Sequence, residues 1–300
     1  MNEPAVATPA HAGGSTLADY RQLTKPRLTS LVIATAAVGF FVGSPSDVDL
    51  VTGALMAIGM VAVVGGGNAL NQYWERDVDS RMRRTQRRPL PAGRLTPAQA
   101  LIFGVILSIA GLALLLFAVT PMAATVAFGG WITYLFVYTP LKQRTAASTL
   151  IGAVPGAVPP LVGWAAARGT LEPAAWSLFA IIFVWQIPHF FAISRQYRDD
   201  YERGGFPLLA VHDPDGSVTG RLSVAYAMLL IPVAVLPAIL GLVGTGYFYG
   251  SLALSIGFSA VTVWSLRTLG AGHERWVFLG SLVYLTALMT MLVVDRLPTA

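Results

Sequence analysis

The sequence predicts an all-α polytopic membrane protein with nine spans. Composition is the first reason: 55% of the 300 residues are hydrophobic and only 12% are charged, and the mean hydropathy is +0.63, which no ordinary soluble domain shows. Second, the chain holds nine apolar runs of the length a bilayer requires. Third, its basic residues fall in alternate connections, as the positive-inside rule asks of a correct span count.

Taken in order, the spans are expected near residues 27–44, 49–72, 98–119, 122–139, 147–167, 174–196, 221–244, 248–267 and 276–294. Residues 1–20 are small and polar and are expected to form a disordered tail ahead of a single domain, 21–300. They show neither an Arg-rich transit pattern nor a signal-peptide apolar segment. Arg21, Lys25 and Arg27 precede the first span, and seven arginines from Arg76 to Arg94 separate the second from the third. Lys142 and Arg144 follow the fourth. Arg195, Arg198, Arg203 and Arg221 surround the connection from sixth to seventh, and Arg267 and Arg275 lie between eighth and ninth. Of the 20 basic residues, 18 thus fall on one side and only Arg168 and Arg296 on the other. This asymmetry puts the N-terminus in the cytoplasm and the C-terminus outside. The outer connections are short. The two long ones, 73–97 and 197–220, are cytoplasmic, so function is expected at that face.

Several chemistries are excluded. There is no cysteine, hence no disulfide, iron–sulfur cluster or Cys-type zinc site. There is no HExxH and no P-loop; the GGGNAL of the second span reads as close packing. No nucleic-acid partner is expected.

The stretch 71–94 stands out. Asn71, Glu75 and Asp79 are spaced four apart, so on a helix they drift only about 40° per step and share one face, while Asp77 points elsewhere. Oxygen ligands stacked at the end of a membrane helix, beside an arginine-rich loop, could hold Mg²⁺ and a diphosphate. An interfacial helix end with a loop that only fixes topology is the plainer alternative. Tyr138 and Lys142 sit four apart at the end of the fourth span, where Pro140 predicts that the helix is ending. Lys142 could neutralise a phosphate or merely set topology. The fifth span, with Pro155, Pro159 and Pro160, is expected to be irregular, its freed carbonyls needing partners. In the sixth, Gln196 and Asp200 follow His189 by seven and eleven residues, near one face, with Pro188 expected to bend the helix. His189 lies well inside a span, where a polar side chain faces protein or a cavity. A structural bond to a neighbouring helix is the other reading.

The row Asn71-xxx-Glu75-xxx-Asp79, then RTQRRPLPAG (84–93) and YTPLK (138–142), resembles the UbiA-type intramembrane prenyltransferases. TKPRLT (24–29), RMRRTQRRPLPAGRLTP (81–97), IGAVPGAVPPLVGW (151–164) and WQIPHFFAISRQYRDDYERGGFPLL (185–209) resemble, within that family, the members that farnesylate haem. The resemblance covers roughly residues 20–295. It implies a nine-span bundle around a central cavity with two acid-bearing motifs. It also implies Mg²⁺-dependent transfer of farnesyl from farnesyl diphosphate to a vinyl group of haem B, with addition of water. Residue by residue, Asn71, Glu75 and Asp79 match the first motif, Asp200 the end of the second, and Tyr138 and Lys142 the family's tyrosine–lysine pair. By that resemblance Asn71, Glu75, Asp79 and Asp200 hold the metal. Arg84, Arg88, Lys142 and Arg144 bind the diphosphate, and His189 meets the haem, as an axial ligand. Two departures stand out. Glu75 replaces the commoner Asp, and Gln196 stands where many relatives carry an acid, which thins the second cluster. The resemblance further implies a bacterial inner-membrane location, an active site facing the cytoplasm and a haem-handing partner in oxidase assembly. A relative acting on an aromatic or quinone precursor is the alternative within the family. A transporter or cofactor-delivery scaffold is the alternative outside it, since broken helices occur there too. Against it, the charges gather at one face instead of the midplane.

Overall fold

The computed structural model describes residues 16–268 and 274–297. Among these residues the only β pairing is one isolated bridge between Val243 and Arg296, and nine helices are long and apolar enough to cross a membrane. The chain is a multi-pass integral membrane protein. A short α1 (Leu17–Leu23) comes first. The spans are α2 (Pro26–Gly43), α3 (Leu50–Asp79), α4 (Pro97–Ala118), α5 (Pro121–Lys142), α6 (Ser148–Arg168) and α7 (Pro173–Gln196). Two short helices, α8 (Arg198–Arg203) and α9 (Leu209–His212), follow. The last spans are α10 (Ser217–Ile239), α11 (Thr245–Thr268) and α12 (Glu274–Val294).

Local chemistry sets the boundaries. Asp49 accepts the amides of Val51 and Thr52 at the start of α3. Thr96 and Thr120 cap α4 and α5, each followed by a proline at the first helical position. The disordered tail was expected to reach residue 20. Residues 1–15 lie outside the described residues, but 17–20 are helical. Asp19 bonds back to Thr16 and is clamped by Arg94 at 2.7 Å, and Leu23 is buried with Ala69, Leu90 and Leu95.

Two further expectations are corrected. α5 does not end at Pro140. Residues Thr133–Tyr138 form a π turn, in which the Thr139 amide bonds the Tyr134 carbonyl five residues back. This wider turn stands just ahead of the proline, and the helix continues to Lys142. α6 stays continuous through its three prolines. It lies so close to α2 that a Cβ on Gly163 would sit 1.9 Å from the Ala36 carbonyl oxygen. α7 also continues in helix past Pro188.

The apolar core has two parts. One gathers Phe40, Met56, Met60, Leu115 and Val162 from α2 to α6. The other gathers Leu178, Trp185, Leu230, Tyr247, Phe258 and Tyr284 from α7 and α10 to α12. They meet along α2 and α6, where Val42 and Trp164 belong to the second core and Ala36 and Val162 to the first. The two arginines that break the charge asymmetry have a local reason: Arg168 donates to the Gly43 carbonyl at 2.6 Å and Arg296 to the Ser44 and Pro45 carbonyls, at and just past the C-terminal end of α2.

Candidate functional site

α3 runs seven residues, about two turns, past its expected span, and its last turns form the site. Asn71, Glu75 and Asp79 are all buried, on the single face their spacing predicts, whereas the Asp77 side chain is 78% exposed. Each of the three meets its own cation. Lys25 Nζ donates to Asn71 Oδ1 at 3.2 Å. Lys142 Nζ lies 3.2 and 3.4 Å from the two Glu75 oxygens. Arg88 donates to Asp79 Oδ2 at 2.6 Å. Asn71 also donates to Thr139 Oγ1 at 3.2 Å, which ties α3 to the last turn of α5.

The second Asp79 oxygen, Oδ1, is buried without any hydrogen-bond partner among the described residues. A charged oxygen in that state is costly unless a cation reaches it. With a carboxylate and an amide oxygen above it on the same face, the donors are the hard oxygens that Mg²⁺ takes, so the residues present fit such an ion. Among the described residues no three acids or histidines cluster tightly enough to hold a metal by themselves.

The other expected site residues divide. Tyr138 stacks on Tyr134 (centroids 5.9 Å apart) and packs so tightly on α6 that a Cβ at Gly152 would lie 2.5 Å from its ring. It therefore stands one turn from Lys142 on the same helix. Asp200 does not join the row. Its oxygens accept the backbone amides of Arg83 and Arg84, each at 3.2 Å, and pair with Arg203. Burial alone would raise its pKa, but the Arg203 bond and the two amides outweigh it and hold the carboxyl below the usual range. Asp200 thus latches the 80–96 loop to the 197–216 loop, helped by the buried cluster Met82, Tyr201, Phe206 and Leu208. Arg84 lies on the rings of Tyr197 and Tyr201, at 4.9 and 5.5 Å, and donates to the Tyr201 hydroxyl. Arg144 and Gln196 are exposed. His189 sits on α7 against α12, its Nδ1 2.8 Å from Ser281 Oγ.

Sequence reading gave two residues too little. Lys25 looked like one more topology lysine. It adopts a left-handed backbone (φ 48°) at the start of α2, and this turn delivers its ammonium to Asn71. Removal from water, then the charges of Arg88 and Lys142, push it down to about 7 against the pull of Glu75 and Asp79. The left-handed turn leaves no mark in a Thr-Lys-Pro sequence. Arg94 also looked topological, but it pins α1 through Asp19 and Gln22.

The sequence profile of the UbiA prenyltransferase family matches residues 32–291. The protoheme IX farnesyltransferase of Solibacter usitatus is 43% identical over 289 residues, covering 93% of this chain and 98% of that protein. The enzyme of the same name from Myxococcus xanthus is 39% identical, covering 99% of each. Among solved structures, one of digeranylgeranylglyceryl phosphate synthase superposes with a TM-score of 0.79 at 18% identity, over 93% of this chain and 98% of that one. A UbiA homolog from Archaeoglobus fulgidus bound to GPP and Mg²⁺ gives 0.67 at 13% identity, over 92% and 99%.

Proposed function

The chain belongs to the UbiA prenyltransferase family, and on that premise we infer that it transfers the farnesyl group of farnesyl diphosphate to a vinyl group of haem B, giving haem O. The observation that carries the reading is the row of Asn71, Glu75 and Asp79, each set against its own cation. Relatives named for this reaction match the chain nearly end to end. The enzyme works in the bacterial cytoplasmic membrane with the long loops and the site on the cytoplasmic side, the N-terminus inside and the C-terminus outside. Its product goes to a haem-receiving partner in oxidase assembly.

Asn71, Glu75 and Asp79, with Asp200 at the edge of the site, would hold Mg²⁺, which would supply charge neutralisation for the departing diphosphate. The chain's own residues do the rest. Lys142 and Arg88, which neutralise Glu75 and Asp79, turn to the diphosphate oxygens, and Lys25 joins them from the other side of Asn71. Arg84 and Arg144 reach the diphosphate from the loop side. Such preset donors act where charge builds in the transition state. Tyr138, stacked against Tyr134, holds the start of the prenyl chain beside Lys142 and keeps bulk water from the allylic carbon. The vinyl carbon attacks the first farnesyl carbon as the bond to diphosphate breaks. Water adds to the cation left beside the porphyrin and loses a proton, so one hydroxyl appears per farnesyl transferred. His189 meets the haem.

The test is a mass measurement of the pigment after incubating the purified protein with haem B and farnesyl diphosphate, with and without a chelator. A product heavier by one farnesyl and one hydroxyl group, absent with chelator, is expected. Unchanged haem alongside prenylation of an aromatic acid or quinone precursor would overturn the assignment of the acceptor.

A further inference from the structure

A large cleft of about 880 Å³ opens at the loop-bearing ends of α7, α10, α11 and α12. No member of the Asn71–Glu75–Asp79 row lines it, and it borders that site only through Asp200 and Arg83. Its rim is cationic. Arg195 and Arg203 are committed to Glu274 and Asp200, but Arg83, Arg198 and Arg275 form no ion pair among the described residues. Among the described residues Arg198 carries a buried Nε with no hydrogen-bond partner, and its terminal nitrogen donates to the Val211 carbonyl at 3.4 Å. A cationic donor left open in this way is a place for an anion. Of the unpaired acids in the wall, Asp199 is exposed and Asp215 accepts the Ser217 amide.

The lower wall is formed by Ala192 on α7 and Val277 on α12. His189 lies three residues before Ala192 and Ser281 four after Val277, so both lie one turn deeper on the same helix faces, beneath the cleft and outside its lining. There the two side chains meet at 2.8 Å. The Ser281 hydroxyl gives its proton to the Phe278 carbonyl at 2.6 Å. Its oxygen must therefore accept from His189, which places the imidazole proton on Nδ1 and leaves Nε2 as the bare nitrogen. Nε2 has no hydrogen-bond partner among the described residues. Trp185 and Phe278 stack on the ring, at 4.8 and 5.1 Å, and Trp185 itself donates to the Ser281 carbonyl at 2.7 Å. Ring plane and tautomer are both set, as they are for an imidazole that ligates metal.

We propose that this cleft is the acceptor subsite: it takes a dicarboxylate iron porphyrin, the carboxylates at Arg198 and Arg275 and the iron at His189 Nε2, with Ser281 as a positioning residue. The proposal rests on the reading of the chain as a haem farnesyltransferase. The vertical fit supports it. Ser281, which meets His189, lies six positions after Arg275 on α12, about 9 Å of helix, which is of the order of the span from a porphyrin's iron to its carboxylates.

The test uses the full chain in nanodiscs of a neutral lipid, titrated with haemin and with haemin dimethyl ester and read by the Soret band. Haemin is expected to bind at least tenfold more tightly than the ester. Arg198→Gln and Arg275→Gln should erase that difference without weakening ester binding. Ser281→Ala should alter the band of bound haemin and Ser281→Thr restore it, with farnesyl diphosphate binding unchanged in both. Ser223→Trp, which fills the cleft, should abolish binding of both porphyrins. Equal binding of haemin and ester, or haemin binding that survives Ser223→Trp unchanged, would overturn the cleft while leaving haem farnesylation standing. Loss of haemin binding on replacing the neutral lipid by an anionic one, with Arg198→Gln relieving the loss, would show a lipid-phosphate site and overturn it too. Absence of haemin binding to the unaltered protein, with no farnesylated pigment, would instead remove the acceptor reading itself.

Discussion

Lys142→Met separates what the Lys142–Glu75 pair does for folding from what it does for catalysis. Glu75 is only 2% exposed, and Lys142 is its only ion-pair partner among the described residues. Removing the cation strands a buried carboxylate, which costs about 3–5 kcal/mol. The further change Glu75→Gln removes the stranded charge, so the double variant should recover most of that loss. Activity should not recover. Lys142 is expected to act on the leaving diphosphate, and loss of one such donor lowers turnover by about 10²–10³-fold. The assay is thermal unfolding of wild type, both single variants and the double in one detergent, beside farnesyl transfer measured on the same samples. Mg²⁺ should raise the melting temperature of Lys142→Met more than that of wild type, because the ion takes over the carboxylate. A Lys142→Met protein that melts with wild type, or a double variant no more stable than the single, would refute the buried-pair reasoning. Restored activity in the double would refute the catalytic half.

Asp79→Asn keeps size and helix but removes the charge that Arg88 and the metal share. Membrane insertion should be normal and turnover at least about 100-fold lower, and wild-type rates across a Mg²⁺ titration would take Asp79 out of the metal set. Arg84→Gln and Arg88→Gln should raise the KM for farnesyl diphosphate, whereas Arg94→Gln should leave KM alone and expose the α1–α2 junction to protease, since Arg94 clamps Asp19; equal KM effects at all three would mean the loop acts only through its charge. The Asp200 latch gives a pH prediction. Its carboxyl is held below its ordinary value, chiefly through Arg203 and the Arg84 and Arg83 amides overcoming burial, so its contribution is complete above about pH 4 and is lost only as pH falls through the lowered value. Hydrogen exchange at the Arg83 and Arg84 amides should stay slow at pH 5; speeding up between pH 7 and 5 would show that the latch is held by something else.

The spans were legible because apolar run length and Thr-Pro or Asp starts are local signals; most end within a few residues of where the helices do, but α3 runs on to Asp79 and α10 stops at Ile239. The acid row was legible for the same reason: spacing by four on a helix fixes a face, and Asp77 duly points away. Pairings across the chain were not. Lys25 reaches a residue 46 positions on through a left-handed turn that a lysine rarely adopts. Asp200 spends both oxygens on backbone amides of a loop more than a hundred residues earlier, and amides carry no sequence signature. The α1 helix could have been seen, because Thr16 with Asp19 three residues on is a capping pattern. Polar composition hid it.

The π turn at Thr133–Tyr138 makes α5 a helix with one spare residue. Everything beyond it, Tyr138 and Lys142 included, is rotated by about 100° from where an unbroken α-helix would carry it. Deleting one residue within the turn would let the segment relax to ordinary α-helix while leaving the outer half of α5 in place, but Lys142 would then swing off Glu75 and Thr139 off Asn71. The site is thus addressed by an insertion. Any aligned relative that lacks the extra residue must bring its lysine to the acid row from a different angle, and any chimera that joins two such helices upstream of Tyr138 will keep its fold and misplace its cation.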